Sequence, residues 1–354
     1  MFKFAKFTSY QDLSAQRLLF YAFFALLLVV LMTPILALLI GSVGGLEWLG
    51  IRSLRANFSM TTLFGLSVNT LKLIALTLVG AAAMGVSAAL IVTQFEFPLR
   101  RLLSWLLMLP LAVPAYIIAF AYTDMLEYAG PIQTLLREVM GYQSPRDYWF
   151  PQIRSYLGAA TMLSFVLYPY VYLTTRTALM QHSQNAYDAA NLLGDSLFDR
   201  FYKITLPLLV PALFAGLALV AMETLADFGT VNYFGLSVLT KGLFDLVQNR
   251  GDLTSASQLA LAAISLIFII FTIERYYRAQ TQALRSSYTR KSAIRVSRPI
   301  AALFILLCSL PIILGLLLPL GYFISIANFD FSFDGALGQA MQNSALLSFS
   351  ACLL

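Results

Sequence analysis

Polar and apolar positions fall in long blocks along this chain, and the apolar blocks exceed what a water-soluble core uses. Stretches free of Asp, Glu, Lys and Arg run from Leu18 to Leu46, Leu73 to Phe95, Leu102 to Thr123, Ser155 to Thr175, Ile204 to Met222, Leu253 to Ile273 and Pro299 to Phe329. Each reaches the roughly 20 residues with which a helix crosses about 30 Å of hydrocarbon. The pattern predicts an all-α polytopic membrane protein with seven spans. Phe228 to Thr240 is also uncharged, but it is too short to cross and carries Gly229, Asn232 and Gly235. It reads as a loop, with a re-entrant course open to it, because irregular backbone at membrane depth must be shielded by protein or line a cavity. Lys3, Lys6 and Arg17 precede the first span as they would a secretory signal. That apolar run is too long for a signal core and further spans follow it, which fits an uncleaved anchor.

Composition agrees: 59% of residues are hydrophobic and 11% charged, against roughly 25% charged in soluble domains. The basic residues set the orientation. With the N-terminus in the cytoplasm, fifteen Lys and Arg fall on inner segments and seven on outer ones, with Lys72 at a span start. The net charge of +6 is explained by this asymmetry; nucleic-acid binding would call for basic residues interleaved with aromatics on a soluble face. Cys308 and Cys352 both lie in apolar runs without metal-ligand spacing, and read as buried small hydrophobes.

Two segments resemble each other. Leu63 to Ile74 enters the second span and Leu337 to Ser348 the start of an eighth, each placing a polar pair, Asn69-Thr70 or Asn343-Ser344, ahead of an apolar run. The copies lie 274 residues apart with six spans between them, so they share an orientation and suggest a parallel duplication. The organisation expected is a first half over residues 1–275, a basic cytoplasmic linker over 276–299, and the start of a second half over 300–354. Only eleven residues follow Asn343, which suggests a truncated product of a parent of roughly 550 residues.

The segment 185–207 carries the strongest functional signal. Asn185 suits an N-cap, with Asp188 three residues on at the positive end of a helix. Gly194 can take the left-handed conformation that ends that helix. Asp195 or Ser196 can cap a second short helix whose Leu197, Phe198 and Phe201 form an apolar stripe, and Pro207 suits the first turn of the next span. Two short helices joined at a glycine make a rigid knob, and the basic-residue count puts it on the inner face. An amphipathic loop lying on the membrane surface is the other reading of this spacing.

Asp188-Ala189-Ala190, Gly194 four residues later, and then Ile204-Thr205-Leu206-Pro207 resemble the EAA loop of ABC importer permeases, with Asp where the family usually has Glu. The resemblance implies a type I permease fold of six spans per half in a bacterial inner membrane. It also implies that the loop is a coupling helix seated in a groove of a cytoplasmic ATPase dimer, with Asp188, Ala189, Ala190, Gly194, Phe198, Ile204, Leu206 and Pro207 as the coupling residues. Other partners implied are a periplasmic substrate-binding protein and membrane lipid, and no nucleic acid. The segment from Glu223 through Asp227 and Gly229 to Tyr233 and Gly235 resembles the outer loop of fused ferric-iron permeases, and related permeases carry thiamine, polyamines or oxyanions. No cofactor is expected on this subunit. The sequence holds no GxxxxGK[ST] phosphate loop, so ATP would be used by the partner.

Glu223, Asp227 and Tyr233 are the candidates for a substrate path. Fe³⁺ favours hard oxygen ligands, and acidic residues at a span edge are costly unless they face a cavity or partner. Glu223 and Asp227, four apart, would share a helical face; a helix end hydrogen-bonding the Gly-rich loop is the plainer alternative. No metal-ligand set is readable, and the single histidine, His182, reads as solvated. Tyr116, Tyr122, Tyr168, Tyr170 and Tyr172 read as packing and interface residues, and Pro110 and Pro114 as a kink in the third span. An ion-coupled secondary carrier has no use for the knob, and a membrane enzyme would need convergent nucleophile, base or metal ligands that this pattern lacks. Gly194→Pro is expected to abolish co-purification with the ATPase while leaving membrane insertion intact. Normal co-purification would remove the docking role.

Overall fold

The computed structural model describes residues 60–181, 205–281, 294–326 and 335–353, together with scattered positions between 21 and 41 and residues 199 and 202. Most of the predicted first span, His182, most of the knob and half of the basic linker lie outside them. The described elements are helical apart from one two-residue strand pair. In order they are α1 (Met60–Gln94), β1 (Phe95–Glu96), α2 (Arg100–Leu106), a 3-10 turn (Leu109–Ala112), α3 (Ala115–Leu126), α4 (Pro131–Met140), α5 (Tyr156–Gln181) and α6 (Leu206–Ala226). There follow α7 (Gly229–Tyr233), α8 (Leu239–Phe244), a π turn (Asp245–Asn249), α9 (Leu253–Thr281), β2 (Ile294–Arg295), α10 (Arg298–Ile312), a second π turn (Ile313–Leu317), α11 (Leu318–Ile326) and α12 (Gly335–Leu353).

Five of these stretches are long and apolar enough to cross a membrane: Thr61–Gln94, Tyr156–Met180, Leu209–Ala226, Leu253–Tyr276 and Arg298–Ile326. A sixth is a broken pair, Arg100–Ala112 with Ala115–Met140, bent by 90°. The third predicted span is therefore a corner rather than a kinked rod. Pro110 sits in the first turn of the 3-10 segment, where its missing N–H costs little, and Pro114 sets Val113 before it to an extended course, with ψ at 123°, at the break itself. The second predicted span also changes: Lys72 ended the charge-free count, yet α1 begins at Met60 and carries Lys72 over the Tyr156 ring at 5.1 Å. That cation–π contact accommodates the charge inside the helix.

α5 is the central rod. It packs along α1 and α6, and α9 lies against α6. The buried ridge of α1 repeats every fourth residue, Leu73, Thr77, Ala81, Gly85 and Ala89, which is the row a helix turns toward a close neighbour. Lipid tails are as apolar as leucine, so helices in a bilayer associate through small residues that let backbones approach. Gly85 shows how near they come: a methyl group there would sit 2.7 Å from Val171 Cβ and 2.8 Å from the Tyr168 carbonyl oxygen. Gly216 on α6 meets the other side of the same residue, 2.8 Å from Val171 Cα. Farther along, the Ser164 hydroxyl donates to the Thr77 carbonyl at 3.1 Å.

The tyrosines of α5 take packing roles. Tyr168 and Tyr172 are fully buried, and the Tyr172 hydroxyl donates to the Ser104 carbonyl at 3.0 Å. Cys308 is buried in the core, but Cys352 is exposed on α12, a correction to its reading as a buried side chain. The segment after the linker lies on the earlier helices: β2 pairs in parallel with β1, and Phe304 of α10 sits 4.8 Å from the Phe95 ring. The Tyr122 hydroxyl donates to the Leu314 carbonyl in the second π turn at 2.7 Å, and Tyr322 of α11 donates to Asp124 of α3.

Gly85→Val should overpack the α1–α5 contact at a cost of about 1–3 kcal/mol. It should lower the thermal midpoint in detergent, whereas Gly65→Val on the same helix, where nothing lies within 4 Å, stays close to the parent. Equal midpoints would contradict the close-packing account.

Candidate functional site

Two regions at opposite ends of the α5–α6 pair were singled out by sequence. At one end, α5 is described as far as Gln181 and α6 starts at Leu206 with Pro207 in its first turn, as the helix-start chemistry of proline predicts. Leu206 and Pro207 are the described members of the coupling set; Asp188, Ala189, Ala190, Gly194, Phe198 and Ile204 lie outside the described residues. Residues 182–205 therefore leave and re-enter two helices of the close-packed core.

At the other end lies the segment that reads as a loop in the sequence. It consists of two short helices, α7 and α8, joined through Gly235 at φ 69°. Val231, Phe234, Leu236, Val238 and Leu239 are buried, so this irregular backbone is shielded by protein. Polar residues of other elements hold it. Asn69 donates its amide to the Ser237 carbonyl at 3.0 Å, Thr70 accepts the Leu239 N–H at 3.0 Å, and the Thr240 hydroxyl donates to the Leu225 carbonyl at 2.6 Å. The Asn69-Thr70 pair marked as a repeat feature is thus a clamp on this segment.

The three path candidates are placed differently. Glu223 is exposed on the last turns of α6, within electrostatic reach of the Tyr170 hydroxyl. Asp227 has left the helix, with ψ at 111°, so the shared helical face expected for the two carboxylates is not formed. Its carboxylate accepts the Thr230 N–H at 2.8 Å and the Thr230 hydroxyl at 3.2 Å, and so caps α7. Burial raises its pKa above the ordinary carboxylate value, and the Thr230 donors offset part of that shift. Tyr233 lies under the Arg154 guanidinium, 4.9 Å from its ring centroid.

Sequence reasoning missed Arg154, which it counted only as a charge. Arg154 pairs with Glu127 and donates to the Tyr233 carbonyl at 2.8 Å, which fastens α7 to the connection between α3 and α5. The Glu127 hydrogen bond holds the guanidinium more firmly charged. A cavity of ≈ 700 Å³ opens beside this junction, lined in part by Tyr116, Phe120, Asn232, Tyr233 and Phe323. α7 comes so close to α3 that a methyl group on Gly229 would lie 2.9 Å from Tyr116 Cβ. The lining draws on α3, α7 and α11, so the cavity lies between the earlier spans and the one that follows the linker. Among the described residues, no group of three or more His, Cys, Asp and Glu is placed to hold a metal ion.

Comparisons with known proteins fit this architecture. Residues 81–286 match the family described as binding-protein-dependent transport system inner membrane component. The sulfate transport system permease protein CysT of Salmonella typhimurium strain LT2 is 29% identical over 199 residues, covering 54% of this chain and 69% of that protein. The molybdenum transport system permease protein ModB of Escherichia coli K12 is 24% identical over 213 residues, covering 58% and 90%. Among solved structures, the bacterial alginate ABC transporter in complex with an alginate pentasaccharide-bound periplasmic protein superposes with a TM-score of 0.58 at 16% identity, over 79% of this chain and 99% of that one. The fold and the family match thus define a membrane-spanning permease component of an ABC transporter. The chain belongs to the binding-protein-dependent transport inner membrane component family. Membership implies an inner-membrane location in bacteria, an ATPase partner and a periplasmic binding protein.

Asp227→Ala should cost about 1 kcal/mol as a lost cap, and so speed hydrogen exchange at the Thr230 amide by roughly fivefold. Asp227→Asn, which keeps an acceptor oxygen, should recover most of that protection. Unchanged exchange in the alanine variant would remove the capping role.

Proposed function

We propose that this chain forms the membrane pathway of an ATP-driven importer for ferric iron delivered by a periplasmic binding protein. The N-terminus lies in the cytoplasm and the knob over residues 185–207 is gripped by a cytoplasmic ATPase dimer. ATP binding brings the two ATPases together and moves the knobs. The α5–α6 pair transmits that motion to the Asp227–Gly235 segment, which accepts cargo, and hydrolysis resets the path. Nucleotide acts by shifting populations between inward- and outward-facing states, which needs a contact that differs between them; the knob provides it.

The observation that carries the iron reading is Glu223, a carboxylate left exposed near the end of α6. Carboxylate oxygens suit a hard trivalent cation. The resemblance of Glu223 to Gly235 to ferric-iron permeases points the same way. An oxyanion is the second reading, favoured by relatives named for sulfate and molybdenum; thiamine and polyamines remain further alternatives within the class. A secondary carrier would instead sustain uptake on an ion gradient without the ATPase.

Radiolabelled Fe³⁺ uptake in cells carrying the complete transporter, competed in turn with sulfate, molybdate, thiamine and spermidine, separates these readings. The proposal expects uptake that depends on the ATPase and on the binding protein and that none of the competitors reduces. Glu223→Ala combined with Asp227→Asn, which removes both charges but keeps the α7 cap acceptor, should lower uptake by about tenfold, equivalent to roughly 1.4 kcal/mol in barrier. ATPase co-purification should stay normal. Full uptake in that variant would take both carboxylates out of the path.

A further inference from the structure

The connection between α3 and α5 contains a helix that faces the wrong way for water. In α4, Ile132, Leu135, Leu136, Val139 and Met140 follow the spacing of a single apolar stripe. That stripe points outward: Leu135 is 61% exposed, Val139 72% and Met140 60%. On the polar side, Gln133 and Arg137 are turned to the protein and Glu138 is exposed. Gln133 is buried, donates to the Leu126 carbonyl at 2.7 Å and accepts the Tyr148 hydroxyl at 2.6 Å. Arg137 donates to the Tyr128 carbonyl at 2.8 Å and lies over the Tyr128 ring at 4.1 Å. In water this arrangement would leave the apolar face unburied.

We propose that α4 lies in the plane of the membrane interface, on the face opposite the 185–207 knob, with its apolar stripe sunk into lipid. Because α5 crosses the membrane, the connection at its start and the knob after its end lie on opposite faces. Ten residues of helix are about 15 Å long, half of what a crossing needs. An apolar stripe set against a polar face is how a helix lies on a bilayer. The connection also meets a span at both ends: α4 follows α3 after only a short turn, and Leu157 in the first turn of α5 is 65% exposed. Trp149, on the same connection, is 85% exposed, and tryptophan is the residue that settles at headgroup depth. Lipid is therefore the occupant that the surroundings of α4 already meet. The Gln133 and Arg137 bonds fix which side of the helix meets it, so Glu127 and Arg154, which hold α7, are anchored from a connection pinned to the bilayer.

Spin labels test this in the full chain, with Cys308 and Cys352 replaced by Ala, reconstituted without binding protein in vesicles of Escherichia coli polar lipids. Labels at L135C and V139C should collide several-fold more with dissolved oxygen than with a water-soluble nickel chelate. A label at E138C, on the polar side, should show the reverse. Chelate access at 135 and 139 equal to that at 138 would put the stripe in water and overturn the proposal. Shielding of 135 and 139 from both reagents would assign the face to protein, from the same chain or a second copy, and would overturn it equally.

Discussion

The structure depends on how closely three helices approach one another. α5 is clasped between α1 and α6 at Val171, where Gly85 and Gly216 leave no room for a methyl group on either side. In a bilayer this closeness is the source of cohesion, since moving an apolar side chain from lipid to a helix interface removes no surface from water. The ridge of Thr77, Ala81, Gly85 and Ala89 extends the contact along α1, and the Ser164 hydroxyl adds a hydrogen bond that crosses it.

From that contact the functional geometry follows. The two helices leading into and out of residues 182–205 are α5 and α6, both members of the clasp, so a displacement of the knob cannot be absorbed by loose packing there. At their other ends the same helices meet α7 and α8, whose irregular backbone is held by Asn69 and Thr70 from α1, by Arg154 ahead of α5 and by the carbonyl of Leu225 on α6. With the Tyr156 hydroxyl in the first turn of α5, which donates to the Ser237 carbonyl at 3.4 Å, every member of the clasp contributes a bond to the segment proposed to receive cargo. In the proposed mechanism the clasp is the rod between motor and gate, and Asp227 keeps the gate helix attached to the end of α6.

Spans were legible because charge is costly in hydrocarbon, and the breaks between charged residues mark most of the helices that cross. The reading failed where a charge is accommodated or where proline alone decides. Lys72 hid the first turns of α1 because its partner, Tyr156, lies far away in sequence. Pro110 and Pro114 signalled a kink, but the size of the bend depends on what packs into the corner. The segment after Asp227 looked irregular from its glycines, and its short helices are held by side chains from other elements that no local pattern reveals. Arg154 was invisible for the same reason, as its role appears only when Glu127 and Tyr233 are brought to it. At the knob only its end can be compared: Pro207 lies in the first turn of α6, as local helix-start chemistry predicts, while the capping positions lie outside the described residues.

The central claim is that residues 185–207 are gripped on the cytoplasmic face by a nucleotide-driven ATPase. A direct measurement is thiol labelling from each side of sealed vesicles, using a single cysteine at Leu197 in the full chain lacking its native cysteines, with and without the ATPase. The account predicts labelling by a membrane-impermeant maleimide from the cytoplasmic side alone, and protection when the ATPase binds. Labelling from the opposite side, or labelling that the ATPase leaves unchanged, would contradict it.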